Sequence, residues 1–100
     1  MSLQATEAIW LGEGEVCTIE YLAEMSGLSI EEIEDLALSG VIWPAEVAGQ
    51  PRRFHLLHVV TVRQARRLRD DFELDSNGVA LAMTLLRRIA VLEQALLRNG

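Results

Sequence analysis

The sequence predicts a mainly α-helical domain built on a winged helix-turn-helix, with a short β element and a C-terminal helical extension. Three observations lead there: helix start and stop signals packed into residues 18–40, a breaker-rich stretch over 41–54, and helical apolar periodicity from about 55 to 98. At 100 residues the chain has room for one modest core, so a single domain spanning 1–100 is expected. Half of the residues are apolar but only 5% are aromatic, which favours aliphatic helix packing over a sandwich of aromatic-rich strands.

The segment Ala8 to Val16, AIWLGEGEV, mixes β-formers with two glycines and predicts a short strand or extended arm. Thr18 then caps a first helix, with Ile19, Leu22 and Met25 facing inward and Gly27 closing it in the left-handed conformation. Ser29 opens a second helix and makes a capping box with Glu32 three residues on, while Glu31 and Glu32 sit at the positive end of the helix dipole. Its apolar stripe is Ile30, Ile33, Leu36 and Ala37, and Gly40 ends it. Helix, tight turn and helix in this order make a helix-turn-helix.

Pro44, Gly49 and Pro51 break the chain in VIWPAEVAGQPRRF, where Val41, Ile42, Val47 and Phe54 are expected to pair as a hairpin wing. A long helix follows from about His55 to Phe72, with Leu57, Thr61, Ala65, Leu68 and Phe72 on its inner face. Three acid–base pairs at i,i+4 decorate the outside: Arg66 with Asp70, Arg67 with Asp71 and Arg69 with Glu73. LDSNG then interrupts the chain, and Asp75 or Ser76 caps a last helix from Val79 to about Arg98. That helix carries more apolar residues than one face of a small bundle needs. Leu85, Ile89, Leu92 and Leu96 follow a heptad seam from Ala82, with Leu81, Met83, Leu86, Ala90 and Leu97 beside it, so a homodimer through the seam is expected.

Net charge is −6, but its distribution is more informative. Residues 1–50 hold ten acids and no Arg or Lys, whereas residues 51–100 hold nine Arg and five acids. A helix-turn-helix reads DNA by presenting cationic and amide side chains from its second helix. Here the outward positions of that helix are Glu31, Glu32, Glu34, Asp35 and Leu38. Four carboxylates facing a polyanion reverse the electrostatic attraction that supplies most nonspecific DNA affinity, so nucleic acid is not the expected partner. A solvated, well-capped acidic face and a docking surface for a basic helix both fit the pattern. Arg52 and Arg53 in the wing, with Arg63, Arg66 and Arg67, form the one cationic patch that supports a competing DNA-binding regulator.

Nothing in the chain pairs a nucleophile with a base, and no glycine-rich loop precedes a helix, so neither catalysis nor a cofactor is expected. His55 and His58 stand at i,i+3 without further ligand residues at metal-site spacing, which favours capping or surface roles over a metal site. The lone Cys17 fits a buried thiol in a reducing compartment. No membrane-length apolar run and no signal-like N-terminus occur, consistent with a soluble cytoplasmic protein.

The run RRLRDDFELDSNGVALAMTLLRRIAVLEQAL carries a resemblance. Its Arg67-Leu68-Arg69 element, its turn Leu74-Asp75-Ser76-Asn77-Gly78 and the aliphatic run Val79 to Leu86 follow an acidic second helix and Val41-Ile42-Trp43-Pro44. From about Val16 onward the chain resembles the CbpM-type chaperone modulators, bacterial proteins related to the MerR-like helix-turn-helix group. The resemblance implies a MerR-like winged fold and a noncatalytic function. Such a modulator binds the J-domain of a CbpA-type co-chaperone and blocks its stimulation of a DnaK-type chaperone. J-domains engage the chaperone through a basic helix, so the expected contact set is Glu31, Glu32, Glu34 and Asp35, with Asp70 and Asp71 as a second acidic site. A MerR-like DNA-binding regulator is the alternative function, and a dimerising scaffold for another basic partner is a third.

Overall fold

A computed structural model describes residues 9–10, 15–45, 49 and 51–99. The elements run β1 (Ile9–Trp10), β2 (Glu15–Cys17), α1 (Ile19–Ser26), α2 (Ile30–Leu38), β3 (Pro44–Ala45), β4 (Arg53–His55), α3 (His58–Phe72) and α4 (Ser76–Asn99). The four short strands form one antiparallel sheet in the order β1-β2-β4-β3, with Val16 facing His55, Cys17 facing Phe54 and Pro44 facing Phe54. The mainly helical, winged architecture expected from the sequence is the one observed.

Local chemistry explains the helix-turn-helix. Thr18 Oγ1 accepts from the Tyr21 amide at 3.0 Å, and Ser29 exchanges hydrogen bonds with Glu32 at 3.1 and 2.9 Å, which completes the capping box. Gly27 sits at φ 83°, where a Cβ would be strained, and turns the chain between α1 and α2. Leu22, Ile33, Ile42, Phe54, Val62 and Ala65 are fully enclosed, so the core lies where α1, α2, the wing and α3 meet.

Four expectations are corrected. Val41 and Ile42 do not pair in the wing: they are buried in the core, Pro44 and Ala45 form the strand, and Val47 lies outside the described residues. The long helix starts at His58 rather than His55, because Leu56 and Leu57 make a turn whose carbonyls accept from Val59 and Val60. Its buried side is His58, Val62 and Ala65, whereas Leu57 and Phe72 are largely exposed. The expected inner face holds at Ala65, which is buried, and at Leu68, which packs against the core, but Leu57 and Phe72 lie outside it while His58 and Val62 turn inward, so the imidazole expected at the surface is 2% exposed. The last helix begins at Ser76, not Val79: Asp75 Oδ1 accepts from the Gly78 amide at 2.8 Å, drawing Ser76, Asn77 and Gly78 into the first turn. The break between helices is shorter than LDSNG and turns on Glu73 in the left-handed conformation at φ 52°.

α4 packs its N-terminal half on α2 and α3 through Val79 and Met83, the two buried residues it contributes. From Leu85 onward its large apolar side chains are about half exposed or more, apart from Leu86 at 38%. No described helix is long and apolar enough to cross a membrane.

Candidate protein-interaction surface

The carboxylates of α2 fall into two classes. Glu32 faces α3, where Arg69 Nη1 grips both of its oxygens at 2.7 and 2.6 Å. Partial burial pushes the Glu32 carboxyl up, but the hydrogen bond from Arg69 and that from the Ser29 backbone N–H together outweigh it, so it titrates below its ordinary value of 4.5. Arg69 also donates to Asp70 at 3.0 Å, and Asp70 accepts a further bond from Arg66 at 2.9 Å. On the other flank Glu34 binds Arg52 at 2.5 Å, and the Arg52 guanidinium lies 5.1 Å from the Phe54 ring centroid. Glu32, Glu34 and Asp70 are thus already neutralised within the molecule.

Glu31 and Asp35 are exposed and make no side-chain ion pair with the described residues. Spaced i,i+4, they share one face of α2 with Leu38, which is 85% exposed. The outward stripe of α2 is therefore two uncompensated carboxylates followed by an apolar side chain. Asp71 is exposed on α3 and stands apart from this stripe, beside Arg63, Arg66 and Arg67.

Of the five arginines expected to form a cationic patch, Arg63, Arg66 and Arg67 line one concavity together with Asp70 and Asp71, while the wing arginines are engaged or enclosed elsewhere. Arg52 is committed to Glu34, Arg53 has its Nε enclosed without a partner among the described residues, and Arg63 Nε donates to the Met25 carbonyl at 3.1 Å. Arg66 pairs with Asp70 as expected, but Arg67 and Asp71 form no ion pair among the described residues, nor does Glu73. Arg69 turns its Nη1 inward to Glu32 rather than to Glu73, because a charge-assisted contact partly shielded from solvent is stronger than an exposed i,i+4 pair. No cluster of three or more ligating His, Cys, Asp or Glu side chains occurs among the described residues.

The sequence missed two features of this region. One is Arg69, whose partner lies 37 residues away and leaves no local signal. The other is His58: enclosed at the start of α3, its ring meets Trp43 edge-on at a centroid distance of 4.7 Å, and neither ring nitrogen has a partner among the described residues. Burial and then the nearby His55 push its pKa below the ordinary 6.5.

A capped helix-turn-helix, a two-stranded wing and a following long helix define the MerR class of fold, and residues 17–98 match the family described as MerR HTH family regulatory protein. Within that class the similarity is narrower. The Chaperone modulatory protein CbpM of Escherichia coli O1:K1 / APEC is 35% identical over 77 residues, covering 77% of this chain and 76% of the relative. Its counterparts in Escherichia coli O45:K1 (strain S88 / ExPEC) and O139:H28 (strain E24377A / ETEC) are 35% identical over the same shares. The chain belongs to this CbpM-type chaperone-modulator family of MerR-like proteins.

Proposed function

We propose that this protein is a noncatalytic inhibitor that binds the J-domain of a CbpA-type co-chaperone and masks the basic helix through which it stimulates a DnaK-type chaperone. The observation that carries the proposal is the α2 stripe: Glu31 and Asp35 project uncompensated charge, and Leu38 offers an apolar contact one turn on. A basic amphipathic helix presents the complementary pattern. Glu32 and Glu34 border the stripe and act mainly by holding α2 against α3 and the wing, so they contribute less to the partner than Glu31 and Asp35. Asp71 is a secondary contact. The protein acts as a homodimer through Leu85, Ile89, Leu92 and Leu96, all exposed on α4.

Titration of the purified protein into the J-domain by calorimetry, at low and moderate salt, tests the contact set. Glu31→Lys and Asp35→Lys are each expected to weaken binding by about tenfold at low salt, an effect that shrinks as salt screens the pair. Unchanged affinity in both variants removes α2 from the interface. Because Arg52 is committed to Glu34, gel-shift assays with genomic DNA fragments are expected to show no specific complex; a shift abolished by Arg52→Ala would favour a DNA-binding regulator instead.

A further inference from the structure

A groove of about 440 Å³ opens between α3, α4 and the segment leading into β3, on a part of the surface that the acidic stripe does not use. Its walls are mostly apolar, from Val41, Trp43, Leu57, Met83, Leu86 and Ile89. Polar groups are few: His58 in the floor, Thr61 and Gln64 beside it, and Arg87 and Glu93. A concave, largely apolar site of this size with a few converging polar groups is the usual form of a small-molecule site.

His58 gives the site its chemical preference. It is 2% exposed, and both Nδ1 and Nε2 lack a hydrogen-bond partner among the described residues. A buried polar group without a partner is costly, and native structures rarely leave one so unless a ligand or water satisfies it. Its position as the first residue of α3 sets it at the positive end of a helix dipole, which disfavours the imidazolium. A neutral imidazole carries one donor and one acceptor nitrogen. A hydroxyl, which both donates and accepts, can pair with either. Arg87 and Glu93 carry opposite charges on the same wall, so the site favours neither an anion nor a cation. The His58 ring nitrogens are themselves enclosed, and Trp43, half exposed and edge-on to His58, is the side chain that would have to turn aside for a planar guest to reach them.

We propose that this groove binds a small neutral phenol-class ligand, its ring against Trp43 and the apolar walls and its hydroxyl hydrogen-bonded to His58. Occupancy would couple the segment leading into β3 to the α3–α4 pair, because the lining residues come from all three.

The experiment uses the full chain carrying Trp10→Phe, which leaves Trp43 as the one indole. p-Cresol and toluene, similar in size but differing by the hydroxyl, are titrated while Trp43 fluorescence and the long-range ¹H–¹⁵N signals of the His58 ring are followed. Saturable changes at both residues with p-cresol are expected, with toluene at least tenfold weaker. His58→Phe, checked for folding by circular dichroism, should abolish that difference. Leu57→Ala, at an exposed position that spares the core, should weaken p-cresol about threefold. No saturable change at His58, or equal binding of the two probes, overturns the proposal. So does a His58 signal that shifts with protein concentration and not with p-cresol, which would assign the groove to a second copy of the chain.

Discussion

The two halves of α4 meet opposite fates although their sequences look alike. Val79 and Met83 are enclosed against α2 and α3, while Leu85, Ile89, Leu92 and Leu96 in the same helix are exposed by about half or more. Apolar periodicity shows that a helix has a stripe to cover, but not what covers it. In the body of the domain the covering is intramolecular and the apolar residues act as core. Beyond Met83 the body falls away from the helix, and identical residue types become available surface.

The comparison is broken most strongly by truncating the body. Leu22 is fully enclosed in α1, and Leu22→Ala is expected to destabilise the fold by about 2–5 kcal/mol through lost burial and a residual cavity. Urea unfolding at fixed protein concentration measures it. A loss below about 1 kcal/mol would mean that the core collapses around the deletion and that the body is no better packed than the distal helix.

Acid separates the halves next, because the titratable group with a depressed pKa at the heart of the packing is His58. Its folded pKa lies below its ordinary 6.5, so below that pH the unfolded chain takes up a proton that the folded chain refuses. Stability is independent of this group above about pH 6.5 and falls as pH drops toward the folded value, by at most ~1.4 kcal/mol per pH unit. Glu32 also has a depressed pKa, but its contribution is lost only below its ordinary 4.5, as pH falls through the folded value. Unfolding free energies between pH 7 and 5 in the parent and in His58→Phe test the assignment. Equal slopes would show that His58 does not titrate differently on folding.

A smaller effect separates the two kinds of carboxylate on α2. Glu32→Gln removes the charge that Arg69 grips and is expected to cost about 1 kcal/mol, since a charge-assisted, partly enclosed contact is lost. Glu31→Gln, one residue away and unpaired among the described residues, should stay within about 0.5 kcal/mol of the parent. Equal stabilities would dissolve the distinction between structural and available acids.

Much of this organisation is legible in the sequence because its causes are local. Thr18, Ser29 with Glu32, Gly27 and Asp75 announce helix ends through chemistry that operates within four residues. The acidity of α2 is likewise visible by inspection. What escapes depends on distant partners. Glu32 and Glu34 look equivalent to Glu31 until Arg69 and Arg52 fold back onto them. The periodicity of α3 places Ala65 and Leu68 correctly, yet at its start the turn at Leu56–Leu57 precedes the helix and His58, a residue of ambiguous polarity, takes the inward place that Leu57 was expected to fill. Val41 and Ile42 are β-formers by composition, but the backbone there closes α2, with the Val41 amide donating to the Leu36 carbonyl at 2.9 Å.

The least costly substitution for the monomer is also the one that speaks most directly to the distal helix. Leu92 is 62% exposed, so Leu92→Ala removes little burial from an isolated chain and should change its unfolding free energy by less than about 0.5 kcal/mol. If a second copy covers the seam, the same truncation weakens association, and light scattering over a range of concentrations should show the transition from monomer to dimer moving to higher concentration. The unfolding midpoint of the parent, but not of the variant, should then rise with protein concentration, because dimerisation stabilises the folded state by mass action. A parent protein that scatters as a monomer throughout would leave the leucines of α4 to another partner, and the contrast between the two halves of the helix would persist in solution.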